Sequence, residues 1–163
     1  QLRCPYRFAL PASPHLAAAQ ENASIDPTVI QNAHQRLAAG HELVLVEGAG
    51  GLQVPLTEDL LLGDLAARLG LAAVVVVRNS LGCINHSLLT VEALRTRDIP
   101  VIGLIFNRTA TGGREEVLRD NPRIIRKISG VPVLGEMPRL DDPLAGQVEF
   151  EPIGEKFLRS CRP

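Results

Sequence analysis

The sequence is poor in aromatic residues and has little net charge. Aromatic residues make up 3% of the 163 residues, and tryptophan is absent. A hydrophobic core must therefore be aliphatic, as is common in parallel sheets that are covered by helices. The formal net charge is −1, so no overall electrostatic field attracts nucleic acid or an anionic membrane. We therefore expect no nucleic-acid partner.

Long apolar runs and closely spaced cysteines are also lacking. No uninterrupted apolar run approaches the roughly 20 residues of a membrane-spanning helix, and the N-terminus does not resemble a signal peptide. Cys4, Cys83 and Cys161 are far apart and form no CxxC pattern. We therefore expect reduced thiols, no zinc site, no membrane association and a cytoplasmic location. The first residue is Gln1 rather than Met, which suggests a processed, trimmed or incomplete chain.

The absence with the largest consequence is that of a phosphate-binding loop. Such a loop has the pattern GxxxxGK[ST], in which the lysine reaches the phosphates of a nucleotide. The two lysines, Lys127 and Lys156, neither follow glycine nor precede Ser or Thr. The 163 residues therefore contain no P-loop, and we expect this chain alone to be inactive in phosphoryl transfer.

Short apolar runs alternate along the chain with helical patterns. The sequence predicts four strands, at Leu43–Val46, Ala73–Val77, Val101–Phe106 and Val131–Leu134. It predicts helices over residues 16–20, 27–40, 85–97, 115–129 and 153–161, the fourth of them interrupted around Asn121-Pro122. This rhythm predicts one α/β domain, residues 1–163, with a parallel sheet and helices on both faces.

A carboxylate and a glycine-rich loop follow the first predicted strand. The residues are Glu47-Gly48-Ala49-Gly50-Gly51. In open α/β sheets, ligands bind at the carboxyl ends of the strands. A carboxylate placed there can hold Mg²⁺, and glycines let backbone N–H groups approach a ligand closely. The alternative interpretation is a tight turn between a strand and a helix, with an exposed Glu47.

A second candidate segment, Leu81-Gly82-Cys83-Ile84-Asn85-His86, lies between the second predicted strand and a helix. Backbone N–H groups at a helix N-terminus favour an anion, such as a carboxylate. Alternatively, Asn85 and the loop amides cap the helix. Cys83 and His86 could form a nucleophile and a base, but no neighbouring residue would orient them, so we do not favour this chemistry.

Polar residues also follow the last two predicted strands. Asn107-Arg108 comes directly after Phe106, and an Asn side chain can pair with an adenine edge through its amide. An ordinary turn asparagine is the alternative. Residues 136–140, Glu-Met-Pro-Arg-Leu, follow the fourth strand and are a plausible wall of the same crevice.

Taken together, these segments resemble the ATP-dependent dethiobiotin synthetases. The resemblance rests on order and spacing from about residue 6 to about residue 140. The matching segments are Pro11-Ala12-Ser13-Pro14-His15, Val46-Glu47-Gly48-Ala49-Gly50-Gly51 with Pro55-Leu56, Leu81-Gly82-Cys83-Ile84-Asn85-His86, Asn107, and Leu134-Gly135-Glu136-Met137-Pro138. Residues 141–163 contribute little to this resemblance.

The resemblance implies a P-loop NTPase-like, doubly wound fold of three layers, from which the first strands and the P-loop are missing here. It implies a cytoplasmic homodimer that takes 7,8-diaminopelargonic acid, carbon dioxide and ATP, with Mg²⁺ as cofactor. The reaction, a step of biotin synthesis, carboxylates the diamine and closes the ureido ring of dethiobiotin.

The resemblance also implies roles for single residues. Glu47 would be a Mg²⁺ ligand, and Gly48, Ala49 and Gly50 would lie beside the nucleotide and substrate. Asn107 would read adenine with Arg108 adjacent to it, and the base pocket would be lined by Pro138, Arg139 and Leu140. Gly82, Cys83 and Asn85 would hold the substrate carboxylate across the dimer interface. The resemblance assigns no catalytic residue to this chain.

Two other functions remain open at this stage. One is an amidoligase on the same scaffold, such as a relative of cobyrinic acid amide synthase, although the segment from Leu81 to His86 argues against it. The other is a non-catalytic dimerising or regulatory domain without a P-loop. The coding sequence upstream of Gln1 would discriminate between them, since an in-frame strand followed by GxxxxGK[ST] would support the synthetase.

Overall fold

A computed structural model describes residues 3–109, 114–142 and 145–161 of the chain. Within these ranges there are six helices and three strands. The chain divides into two compact units, one that ends at Leu71 and one that begins at Ala72. The expectation of a single domain stays a prediction.

The first unit is helical. Its helices are α1 (Pro14–Gln20), α2 (Pro27–Ala38) and α3 (Leu62–Arg68). Helix α2 begins where the sequence predicts, because the Asp26 carboxylate accepts a hydrogen bond of 2.8 Å from the Thr28 N–H and Pro27 stands at the first helical position. The sequence did not predict α3, whose Leu65 packs in a small apolar cluster with Leu56 and Leu60.

The predicted strand Leu43–Val46 is not formed, so this prediction is wrong. The segment is extended or irregular chain that pairs with no described residue. Its side chains are largely exposed, with Leu45 78% and Val46 50% accessible. A strand exists only when a neighbour supplies hydrogen-bond partners, and apolar patterning reports the tendency to be buried but not the presence of that neighbour.

The second unit contains a parallel sheet, as predicted. Strands β1 (Ala73–Arg78), β2 (Val101–Asn107) and β3 (Val133–Met137) are hydrogen-bonded in the order β1-β2-β3. Helix α4 (Cys83–Arg95) connects β1 to β2, helix α5 (Glu115–Ser129) precedes β3, and helix α6 (Gly146–Ser160) follows it.

Helices cover both faces of this sheet, because alternate residues of each strand point to opposite sides. Leu104 and Phe106 of β2 are fully buried on one face, against α4 and α5. Ile105 lies on the other face, where it clusters with Leu134 of β3 and Ile153 of α6. This three-layer arrangement confirms the predicted α/β fold with a doubly wound sheet.

The register of the sheet aligns the carboxyl ends of its strands. Arg78 pairs with Asn107, and Asn107 pairs with Met137. The ladder continues for one residue beyond β1, where the Asn79 N–H donates to the Asn107 carbonyl at 2.9 Å. The residues that follow the three strands are therefore held at one edge of the sheet.

Helix α5 is continuous, although the sequence predicts an interruption at Asn121-Pro122. A proline inside a helix has no N–H to donate to the carbonyl four residues earlier, which here belongs to Leu118. The side-chain amide of Asn79 donates to that carbonyl instead, at 2.9 Å. The orphaned acceptor is thus satisfied from outside the helix, and both Asn121 and Pro122 are buried.

Several element boundaries differ from the predicted ones. Helix α1 starts at Pro14 rather than Leu16, α4 at Cys83 rather than Asn85, and α6 at Gly146 rather than Ile153. Strand β3 starts two residues later than predicted. None of the helices in the described part of the chain is long and apolar enough to cross a membrane.

We expect the isolated 163-residue chain to form oligomers larger than a dimer. Among the described residues, the outer edge of β1 has no pairing partner, and Val76 on this strand is 63% exposed. Unpaired apolar strand edges associate with one another. Size-exclusion chromatography with light scattering measures the oligomer. Val76→Lys should reduce association, whereas Leu158→Lys, an equally drastic change on α6, should not; a monodisperse dimer of the unmodified chain would contradict the expectation.

Candidate functional site

Asn107 and Arg108 lie at the carboxyl end of the central strand β2. The backbone of Asn107 is held on both sides, by β1 through the Asn79 N–H and by its pairing with Met137 of β3. Its half-buried side chain makes no hydrogen bond with any described residue. The side-chain amide is therefore a positioned donor and acceptor that is available to a ligand.

A cleft of about 670 Å³ opens beside these residues. The predicted base-pocket residues converge in it: its lining comprises Asn107, Arg108, Thr109, Met137, Pro138, Arg139, Leu140, Gly146 and Phe150. We call it the strand-end cleft. Concave sites at the carboxyl ends of parallel strands are the common ligand sites of open α/β sheets, and this volume is ample for a nucleoside.

Two turns of α6 complete the strand-end cleft. Gly146 and Phe150 are four residues apart and so share one side of the helix. A side chain at Gly146 could not be accommodated without movement, because a Cβ there would lie 2.8 Å from Leu140 Cδ1. The sequence pattern predicted no role for residues 141–163, although the i,i+4 spacing of this glycine and phenylalanine was an available signal.

The guanidinium of Arg108 faces carboxylates from two other elements. It forms a bidentate ion pair with Glu115 of α5, at 3.1 and 3.2 Å, and lies 4.0 Å from a carboxylate oxygen of Glu136 on β3. The hydrogen bond from Arg108 lowers the pKa of the Glu115 carboxyl from its ordinary value, because it favours the ionised carboxylate. Arg108 thus ties the ends of β2, β3 and α5 together beside the cleft.

Helix α4 begins inside the segment that was predicted to bind a carboxylate. Gly82 is its N-cap, with φ of 94°, a conformation that favours glycine. The N–H of Cys83 donates to the Ser80 carbonyl, and that of His86 donates to the Gly82 carbonyl. The N–H groups of Ile84 and Asn85 find no backbone acceptor among the described residues and remain available.

Three side chains of this segment have different surroundings. Cys83 is 4% exposed and packs in the core beneath the sheet, which is incompatible with a role as an accessible nucleophile. The side chains of Asn85 and His86 are exposed. Asn85 lies in the first turn of α4 and caps nothing, so the interpretation of Asn85 as the helix cap is wrong.

The Glu47 loop lies in the first unit, ahead of α3. Glu47 and residues 48–51 are exposed, and no strand precedes them in the part of the chain that the structure describes. The loop is nevertheless tightly built: Gly50 has φ of 91°, and a Cβ on it would lie 2.9 Å from Val54. The N–H of Leu62 donates to the Val54 carbonyl at 2.9 Å, which fixes the loop to the start of α3.

The donor set at Glu47 is sparse. No group of three or more His, Cys, Asp or Glu side chains is arranged to hold a metal ion in the described ranges. A single carboxylate fits Mg²⁺, which commonly takes one or two protein carboxylates and completes its shell with waters and phosphate oxygens. It does not fit a zinc or calcium site, both of which need several protein ligands.

A second cleft, of about 530 Å³, lies along the outer side of α5. We call it the α5 groove, and its lining comprises Arg119, Pro122, Arg123, Arg126, Lys127, Gly130, Val133 and Glu136. Two of its cations are paired within the helix: Arg119 with Glu115 at 3.3 Å, and Arg123 with Asp120 at 2.6 Å. Of the residues predicted to lie at the ligand crevice, Glu136 alone lines this groove.

Comparison with known proteins assigns a family. A family described as "AAA domain" matches residues 1–145. The chain is 41% identical over 162 residues to the ATP-dependent dethiobiotin synthetase BioD of Anaeromyxobacter sp. strain Fw109-5, covering 98% of this chain and 68% of the relative. It is 47% identical over 143 residues to the same enzyme of Rhizorhabdus wittichii, covering 86% of this chain and 62% of the relative. The Anaeromyxobacter dehalogenans enzyme is 50% identical over 106 residues, and the match covers 65% of this chain and 48% of that enzyme.

The chain therefore spans about two-thirds or less of the length of these curated relatives. The relatives are named as synthetases that use ATP, and their similarity extends over nearly the whole of the present chain. The parallel sheet covered by helices on both faces agrees with the matched domain. This chain belongs to the ATP-dependent dethiobiotin synthetase family.

Proposed function

We propose that the chain forms the nucleobase-binding and substrate-binding part of a dethiobiotin synthetase. The whole reaction would carboxylate 7,8-diaminopelargonic acid with carbon dioxide, phosphorylate the carbamate with ATP and close the ureido ring. The observation that carries the proposal is the convergence of Asn107, Arg108 and residues 138–140 in the strand-end cleft of a chain that belongs to this family. Since the 163 residues contain no P-loop, the proposal assigns the phosphate clamp to none of them.

The strand-end cleft would hold adenine. The Asn107 amide, which has no described partner, can donate to and accept from the base edge at the same time. Pro138, Arg139 and Leu140 would form the wall against the base. Arg108 would not contact a phosphate, because Glu115 already neutralises its guanidinium; it would instead hold the two strand ends in place.

The start of α4 would hold the substrate carboxylate. The free N–H groups of Ile84 and Asn85 and the helix dipole favour an anion, and the exposed Asn85 side chain adds a donor. Gly82 would permit the turn, and Cys83 would contribute its backbone only. We propose that this loop serves the neighbouring subunit of a homodimer. Free thiols at Cys4, Cys83 and Cys161 suit the reducing cytoplasm.

The glycine-rich loop would lie beside the phosphates, with Glu47 as a ligand of Mg²⁺ and Gly48, Ala49 and Gly50 next to the nucleotide and substrate. When bound, the cation would neutralise developing charge on the transferred phosphoryl group. This chain would contribute the Glu47 carboxylate, whose exposure leaves both oxygens available to a cation. The tight packing of Gly50 on Val54 fixes the loop that carries Glu47.

Adenosine binding tests the proposed base pocket without requiring a P-loop. We expect the chain to bind adenosine, and Asn107→Ala to raise the Kd about five- to tenfold, the effect of roughly 1–1.4 kcal/mol of hydrogen bonding. Isothermal titration calorimetry measures the Kd. Asn32→Ala, the same truncation at an exposed position of α2, is the matched control and should change nothing. An Asn107→Ala chain that binds adenosine as well as the unmodified chain would exclude this pocket.

Glu47→Gln tests the proposed Mg²⁺ ligand in the full-length enzyme. The substitution keeps the size of the side chain and removes its charge, so we expect a loss of phosphoryl transfer that rising Mg²⁺ partly restores, with little change in the unfolding midpoint. Glu42→Gln, an exposed glutamate five residues earlier, is the control. Identical Mg²⁺ titrations of the Glu47→Gln and unmodified enzymes would show that Glu47 is a turn residue only.

Asn85→Ala tests the proposed carboxylate loop in the full-length enzyme. We expect a higher KM for the diamine, by roughly 1–3 kcal/mol in binding free energy, and unchanged ATP binding. If the loop serves the partner subunit, mixing Asn85→Ala and Glu47→Gln chains should restore activity, since each heterodimer then has one intact composite site. Heterodimers that form, as mass spectrometry would verify, without any recovered activity would place the loop elsewhere.

A further inference from the structure

A buried polar network connects helix α5 to the end of β1. Asn79 and Asn121 are 5% and 3% exposed, and the Asn121 side-chain amide donates to the Asn79 side-chain carbonyl at 2.8 Å. The Asn79 amide nitrogen in turn donates to the Leu118 carbonyl at 2.9 Å. The orientation of Asn79 is dictated by these partners, since a carbonyl can accept but cannot donate.

Pro122 explains why this network is needed. Without an N–H at position 122, the Leu118 carbonyl loses its helical partner, and a partly buried carbonyl left without a donor is destabilising. An alanine at this position would supply the missing donor from within the helix. The sequence pair Asn121-Pro122 therefore creates an acceptor and places a second amide beside it, and Asn79 satisfies both.

The backbone of Asn79 reaches the strand-end cleft. Its N–H donates to the carbonyl of Asn107, at 2.9 Å, although Asn79 does not line the cleft. The next residue, Ser80, accepts the hydrogen bond from Cys83 that starts the turn into α4. Asn79 thus lies between the backbone of Asn107 and the loop that begins α4, and its side chain anchors this junction to α5.

We propose that Asn79 is a positioning residue, which uses its side-chain contacts with α5 to fix the Asn107 backbone at the wall of the strand-end cleft. It touches no ligand. Its role in nucleoside binding rests on the proposed adenine pocket, whereas its role in holding the end of β2 does not.

A purely structural role has a different signature. If Asn79 acts only by satisfying the Leu118 carbonyl, Pro122→Ala should return exchange at the strand end to normal in an Asn79→Ala chain, because the alanine N–H can donate to that carbonyl instead. Only the Asn121 amide, which has lost its acceptor, then lowers the stability. If Asn79 also positions Asn107, adding Pro122→Ala to the Asn79→Ala chain should recover part of the stability but not the order of the strand end, because the end of β1 stays detached from α5.

The experiment compares Asn79→Ala, Pro122→Ala, the double variant and Ser129→Ala by hydrogen exchange, chemical denaturation and adenosine titration. Ser129→Ala is the matched control: Ser129 is a buried residue at the far end of α5, where its hydroxyl donates to the Ile125 carbonyl at 2.7 Å. It should lower the unfolding midpoint without affecting the strand-end cleft.

We expect Asn79→Ala to accelerate exchange of the Arg108 N–H, which donates to the Met137 carbonyl, by about fivefold. The Kd for adenosine should rise by a similar factor. In the double variant, the unfolding midpoint should recover only in part, because the buried Asn121 amide still lacks its acceptor, while exchange stays fast. Recovery of both the unfolding midpoint and slow Arg108 N–H exchange in the double variant would overturn the positioning role. Exchange in Ser129→Ala that is as fast as in Asn79→Ala would overturn it too.

The two proposals fail separately. If neither the unmodified chain nor any variant binds adenosine, the proposed adenine pocket is wrong. The hydrogen-exchange data alone then decide the positioning role. If adenosine binds and depends on Asn107 but exchange at Arg108 is unchanged in Asn79→Ala, the pocket stands and the positioning role is overturned.

Discussion

The parallel pairing of β1, β2 and β3 is the constraint on which the candidate site depends. Because the strands run in one direction, their carboxyl ends meet at one edge, and the register sets Asn107 beside Met137. Asn107 and Pro138, which are 31 positions apart in the chain, consequently line one cleft. The burial of Leu104 and Phe106 between sheet and helices keeps this ladder in place.

Polar contacts then secure the edge that the ladder creates. Arg108 holds Glu115 of α5, and Asn79 holds Leu118 and Asn121 of the same helix. Helix α5 is therefore fastened to the strand ends at two places about one turn apart. The second of these contacts depends on Pro122, which removes a helical hydrogen bond. The Leu118 carbonyl is therefore left available to accept from the Asn79 side chain at the strand end.

The sequence predicted the strand-end residues because these polar residues come directly after short apolar runs. It predicted Asn107, Arg108 and the wall at 138–140, and the structure brings these together. It could not predict that Leu43–Val46 stays unpaired, since pairing depends on neighbours far away in sequence. It also misjudged Pro122, because the donor that keeps α5 continuous comes from Asn79, forty-odd residues earlier. The whole contribution of α6 to the cleft was missed.

Photolabelling with 8-azidoadenosine tests most directly the claim that the strand-end cleft is the nucleobase site. After irradiation, proteolysis and mass spectrometry locate the adducts, and an excess of adenosine identifies those that arise from specific binding. We predict adenosine-protected adducts on peptides that contain residues 107–109 or 137–140. Protected adducts confined to residues 119–130, in the α5 groove, would contradict the account.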